Sequence, residues 1–221
     1  MAGLFQFFRH CYVINLPSRQ DRRKQAKREL AKCGATPTFF SAIKPNEAAG
    51  FESVGARGCF LSHLAVIRAA RDRKLDRILI LEDDFKLEPD FAVREAREAV
   101  RLQSQPWDIF YGGSQLSLSV IPYDQGVLLT HMVGFNGRIL GDIVEYLEAM
   151  LTRPSGDPAG GPMHLDGAYS WFRASRPDVV TLAAVPPLAT QRSSRSDIHP
   201  HWIDGVPLIS TAVTALRKFK G

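Results

Sequence analysis

An α/β fold, with a mostly parallel central sheet flanked by helices, is what this sequence predicts, on three observations. Short apolar runs alternate with longer segments of helical period along most of the chain. One run, Ile78-Leu79-Ile80-Leu81, has no polar alternation, as expected of a strand buried on both faces. Glycine and proline punctuate the joints between runs and helices. The 221 residues suffice for one well-cored domain, so 1–221 is expected to be a single unit.

Residues 10–16 are expected to form the first strand, closed by Pro17 and Ser18. A helix over 20–32 follows, with Ala26, Leu30 and Ala31 turned inward and Gly34 at its C′ position. Arg19, Arg22, Arg23, Lys24, Lys27 and Arg28 make this corner strongly positive. A solvated helix face explains most of them. Arg19 and Arg22, nearest the strand end, are the two placed to meet a diphosphate or the face of a base. Residues 38–42 suit a second strand and 43–54 a loop. Gly55–His63 then leads into a helix over 59–73 with Leu61, Leu64, Val66 and Ile67 buried. Ser62 and His63 are neighbours in sequence, and adjacent residues on a helix do not face one another, which rules out a nucleophile–base pair. His63 reads instead as a packed or hydrogen-bonded histidine beside a site, and Gly58 as a point of close backbone approach.

The buried run 78–81 ends on Glu82-Asp83-Asp84. Three like charges at the end of an apolar strand are costly unless something positive neutralises them. Ligands in open α/β sheets bind at the carboxyl ends of strands, and carboxylate oxygens are the donors that magnesium or manganese prefers. A solvated acidic turn is the plainer alternative. Glu88-Pro89-Asp90 reads as the start of a helix over 91–102. A strand over 107–112 follows, and Gly112-Gly113-Ser114 ends it where a ligand can approach the backbone. Residues 113–125 and 154–163 read as loops near the site, and 127–135 as a strand pair or bent strand. Residues 138–151 form the clearest amphipathic helix. Asp166 opens a helix stopped by Pro177, and 179–184 is a last strand. Residues 207–221 are a basic amphipathic tail, compatible with peripheral membrane contact or with a frayed end.

Composition narrows the class. Hydrophobic content of 45% and charged content of 23% are those of a soluble globule. No apolar run reaches the roughly 20 residues of a spanning helix, and the first ten residues do not read as a signal peptide. Cys11, Cys33 and Cys59 are expected as free thiols, with no C-x-x-C or histidine-rich cluster for zinc. Residues 1–110 hold 19 Lys/Arg against 14 Asp/Glu, whereas 111–221 hold 9 against 9. The basic half suits an anionic partner, but without aromatic–basic interleaving nucleic acid is not expected.

Several landmarks in order carry a resemblance. They are Val13-Ile14-Asn15-Leu16 with Arg22 six residues on, G-x-x-G-C-x-x-S-H, I-L-I-L-E-D-D-F, Asp166, and P-x-x-x-Q followed by Ser196-Asp197-Ile198. Together they resemble glycosyltransferase family 25, the family of lipopolysaccharide galactosyltransferases whose animal relatives glycosylate collagen. The resemblance implies a GT-A-like fold, a UDP-sugar donor (typically UDP-galactose), Mn2+ or Mg2+, and inverting transfer to a hydroxyl of a glycan or glycolipid. It implies that Glu82-Asp83-Asp84 is the D-x-D counterpart. Asp84 would hold the metal, Glu82 or Asp83 the ribose or metal waters, and Asn15, Leu16 and Arg22 would lie along the nucleotide. It also implies residence in the cytoplasm at the inner face of a membrane.

Inverting transfer needs a base for the acceptor hydroxyl and positive charge for the departing diphosphate. Asp166 is the candidate base, with a helix N-cap as its structural alternative. Arg22, Arg192 and Arg195 are candidates for the charge, and Gln191, Asp197, His199 and His201 for completing the metal or diphosphate site. Two other classes fit the acidic strand end: a metal-dependent nucleotidyl or phosphoryl transfer enzyme, and a binding domain without turnover.

Overall fold

The structure is a computed structural model and describes residues 3–192. Its elements, in order, are α1 (Leu4–Phe8), β1 (His10–Asn15), α2 (Gln20–Ala31), β2 (Thr38–Ser41), α3 (Val54–Asp72), β3 (Arg77–Glu82), β4 (Phe85–Leu87), α4 (Phe91–Ser104), β5 (Ile109–Tyr111), β6 (Val120–Ile121), β7 (Met132–Asn136), α5 (Leu140–Thr152), α6 (Leu165–Ser175), β8 (Thr181–Ala183) and β9 (Ala189–Gln191).

Seven strands form the central sheet in the order β2-β1-β3-β7-β5-β8-β6. The pairings make β1, β2, β3, β5 and β8 point one way and β6 and β7 the other, so the sheet is mostly parallel, as expected. Strand geometry sends alternate side chains to opposite faces. Ile78 and Ile80 of β3 thus join the core under α3, α5 and α6. Leu79 and Leu81 join a second core with α1, α2 and α4. That two-sided burial is why this run shows no polar alternation.

The structure departs from the sequence reading where local signals were weak. Helix α3 starts at Val54, a full turn before the expected residue 59, because Ser53 caps it by accepting the Ala56 N–H at 3.0 Å. In α2, Ala31 is exposed and Glu29 takes the inward place instead. Helix α1 was not foreseen; its Phe7 and Phe8 stack edge-on with each other and pack against Trp107. Only Met132–Asn136 of the 127–135 stretch is a strand. Strands β4 and β9 were also missed, and they pair antiparallel with Phe85 opposite Gln191. Among the described residues, no helix is long and apolar enough to cross a membrane. The expected tail over 207–221 lies outside the described residues.

Candidate functional site

Parallel pairing of β1 with β3 places Ile14 opposite Glu82. The residues that follow, Asn15-Leu16 and Asp83-Asp84, therefore emerge together at the carboxyl edge of the sheet, where α/β folds bind ligands. A cleft of about 210 Å³ opens there. Leu16, Arg19 and Arg22 line it from the β1–α2 corner, Gly58, Cys59, Ser62 and His63 from α3, and Glu82, Asp83, Asp84 and Gln191 from the acidic turn and β9. Ten residues singled out from sequence thus meet on one surface. Asn15 sits directly behind it.

Each acid of the triplet has a different setting. Asp83 is buried, accepting from Asn15 Nδ2 at 2.6 Å and from Arg22 at 3.0 Å. Burial still holds its carboxyl above the ordinary value, although Asn15 and Arg22 oppose the rise. Asp84 accepts from Gln191 Nε2 at 3.1 Å and has Arg22 at 3.6 Å, while its buried Oδ1 has no hydrogen-bond partner. Burial first and the Glu82 charge second push it up to about 7, against the pull of Gln191 and Arg22. Glu82 is half-buried. Burial alone would raise its carboxyl, but His63, His131 and the Thr130 hydroxyl at 3.2 Å outweigh that and hold it below the ordinary value. Asp83 and Asp84 are thus both held above their ordinary values, with burial the largest cause in each.

Asp166 stands apart. It lies in the first turn of α6, and the N-cap there is His164, whose ring nitrogen accepts from Gly167 N at 3.1 Å. The capping alternative for Asp166 is therefore incorrect. Its Oδ2 accepts from Leu129 N at 2.9 Å. Burial raises its carboxyl most, the Glu82 charge adds to the rise, and hydrogen bonds from Leu129 and Thr130 moderate it. Thr130 thereby joins Asp166 to Glu82. Asp166 does not line the cleft, and neither do residues of the 113–125 and 154–163 loops.

Three readings of individual residues change. A Cβ on Gly58 would meet the Ile43 carbonyl at 2.8 Å, so the close approach there is made by the chain itself. Likewise a Cβ on Gly113 would strike His131 Nε2, so the turn after β5 is filled by a side chain and not left open for a ligand. Ser62 lines the cleft, but its hydroxyl donates to Gly58 O at 2.6 Å and accepts from Ile43 N at 2.8 Å, pinning the 43–45 loop. His63 is fully buried, as expected, with Nδ1 3.0 Å from the Tyr169 hydroxyl. Arg192 does not line the cleft: its side chain pairs with Glu29, and its backbone N–H donates to Asp84 O at 2.9 Å. Arg195, Ser196, Asp197, Ile198, His199 and His201 lie outside the described residues.

Sequence reasoning missed Lys44, Cys59, Thr130 and Glu29. Lys44 lies in the loop after β2, at the same carboxyl edge, and lines the cleft. Its position past a strand end was a usable signal. Thr130 had none, since only antiparallel pairing of β7 with β3 brings it to Glu82. Glu29 is buried in a basic helix and accepts from Leu87 N at 3.2 Å, tying β4 to α2.

Residues 51–132 match the family model described as Glycosyltransferase family 25 (LPS biosynthesis protein). The chain is 34% identical over 83 residues to the Probable inactive glycosyltransferase 25 family member 3 of Bos taurus, covering 36% of this chain and 13% of that protein. It is 30% identical over 129 residues to Procollagen galactosyltransferase 1 of Danio rerio, covering 48% of this chain and 21% of that one. The match thus spans about a fifth, or less, of the length of these curated relatives. In fold, the chain is similar to a crystal structure of a glycosyltransferase involved in the glycosylation of the major capsid of PBCV-1. The TM-score is 0.54 at 11% identity, covering 95% of this chain and 98% of that one. The architecture is GT-A-like.

Proposed function

Because residues 51–132 match the model of glycosyltransferase family 25 and the chain is similar to members of that family, we propose that it transfers a hexose, galactose first, from a UDP-sugar to a hydroxyl of a glycan or glycolipid, with inversion. The observation that carries the proposal is the charge balance of the cleft. Three acids converge on it, and burial raises the carboxyls of Asp83 and Asp84 although Arg22 opposes the rise in both.

A divalent ion fits the residues present. Asp84 Oδ1 is buried without a partner, and the available donors are hard carboxylate oxygens. Asp84 and Glu82 would hold Mn2+ or Mg2+, which would supply Lewis-acid neutralisation of the departing diphosphate. The chain's own residues do the rest. Asn15 and Arg22 orient Asp83, which is left to accept from the ribose hydroxyls. Arg19 and Lys44, both lining the cleft, add positive charge along the diphosphate, and Leu16 gives the base an apolar wall. Asp166 takes the proton of the acceptor hydroxyl. Burial raises its carboxyl above the ordinary value, the direction that makes it a stronger base. Residence at the cytoplasmic face of a membrane is part of the same proposal.

Incubation with UDP-galactose, Mn2+ and a hydroxyl acceptor tests this reading. Release of UDP supports it, and release of UMP or pyrophosphate would assign the acids to nucleotidyl or phosphoryl transfer instead. A second reading, a nucleotide-sugar-binding domain without turnover, is favoured by the placement of Asp166 outside the cleft lining. It predicts UDP binding by calorimetry with no product on any acceptor.

A further inference from the structure

We infer that Cys59, His63 and Glu82 form a second metal site, one for a borderline ion of the zinc class, distinct in donor chemistry from the all-oxygen site around Asp84. Cys59 and His63 are four residues apart on α3, so they lie one above the other on one helix face. That face meets the end of β3, where Glu82 stands. The three ligand atoms, the Cys59 Sγ, a His63 ring nitrogen and a Glu82 carboxylate oxygen, all lie within 4.8 Å of one another. Glu82 Oε1 is 3.6 Å from His63 Nε2 and 3.9 Å from Cys59 Sγ. A tetrahedral ion with bonds of about 2.0–2.3 Å holds its ligand atoms roughly 3.3–3.6 Å apart; both Glu82 distances are within a few tenths of an ångström of that spacing, and the Cys59–His63 pair, within 4.8 Å, closes by a rotation of the Cys59 side chain.

Two independent features point to a ligand. His63 Nε2 is fully buried, faces Glu82 and has no hydrogen-bond partner. Its other ring nitrogen contacts the Tyr169 hydroxyl at 3.0 Å, the outer contact that fixes the orientation of a metal-binding imidazole. A thiolate, an imidazole and a carboxylate are the donors of zinc and cobalt sites, not of magnesium sites. Three protein ligands at a cleft wall leave a fourth position open to the cavity, as catalytic zinc sites do. Binding releases the Cys59 thiol proton to solvent. Glu82 belongs to both donor sets, so occupancy here withdraws it from Asp84.

Titration of the metal-free full chain with Co2+, followed by displacement with Zn2+, tests the site without recourse to transferase activity. The expected result is one Co2+ per chain with thiolate-to-cobalt charge-transfer absorption and tetrahedral visible bands, all lost on adding Zn2+. Cys59→Ser should remove the charge-transfer absorption and weaken binding by at least about 100-fold, since even outer contacts are worth about 10–100-fold. His63→Gln should weaken binding similarly while the charge-transfer band remains at saturating cobalt. Asp84→Asn should keep the absorption, which separates this site from the oxygen site whatever the fate of the latter. Absence of charge transfer in the unmodified chain, or its persistence in Cys59→Ser, overturns the inference.

Discussion

Replacing Asp84 by Asn probes the electrostatics of the acidic turn directly. Burial and the Glu82 charge raise the Asp84 carboxyl from 3.8 to about 7; Asp83 adds to the rise, and Gln191 and Arg22 oppose it. An acid whose folded value lies above its unfolded value costs stability once ionised. The cost is absent below about pH 3.8, grows through the interval and is complete above about 7. The whole interval corresponds to about 4 kcal/mol. Of this, about 3 kcal/mol falls between pH 5 and 8, and local relaxation plus loss of the Arg22 contact reduce it to about 2 kcal/mol. Asparagine removes the charge and keeps an oxygen for Gln191. Relative to the parent, Asp84→Asn should therefore gain about 2 kcal/mol between pH 5 and pH 8, a Tm difference of roughly 4–8 °C for a chain of this size. Thermal melts of both proteins in EDTA across that range measure it. Parallel Tm curves would refute the assignment of burial and charge as the cause. In a second arm near pH 7.5, Mn2+ with UDP should raise the Tm of the parent and not of the variant. An equal gain in both would remove Asp84 from the proposed cation site.

Asp166→Asn should cut turnover by about 10²–10⁴-fold, while the amide oxygen keeps the Leu129 N–H bond and the calorimetric Kd for UDP stays the same. Arg22→Met leaves Asp83 buried with Asn15 as its remaining partner and should cost about 3 kcal/mol in urea unfolding; adding Asp83→Asn should recover most of that loss, and no recovery would mean that Arg22 stabilises through packing alone. Arg173, fully buried, donates to Thr181 Oγ1 and to the carbonyls of Gln125 and Pro122. Arg173→Met should cost about 3 kcal/mol by leaving these acceptors unpaired, and a loss under about 1 kcal/mol would show that water replaces the guanidinium.

The alternation of apolar runs and helical segments was enough to place most strands and helices, because those patterns depend on residues within a few positions of one another. The same local reading found the acidic strand end and the basic β1–α2 corner, and Leu16, Arg19, Arg22, Glu82, Asp83 and Asp84 share one cleft with Gly58, Ser62, His63 and Gln191. Short strands escaped it. β4 is three residues long, and its burial alternates only over Phe85, Lys86 and Leu87.

What tertiary structure alone decided was who meets whom. Asn15 bonds Asp83 across 68 positions and Gln191 bonds Asp84 across 107. Thr130 reaches Glu82 only through the antiparallel β3–β7 pair. No C-x-x-C marks a zinc-class site, yet the docking of α3 on the end of β3 brings Cys59 and His63 to Glu82. Periodicity is a property of neighbours along the chain. Sheet order and register come from the packing of distant segments, where one residue's slip would send every side chain of a strand to the opposite face.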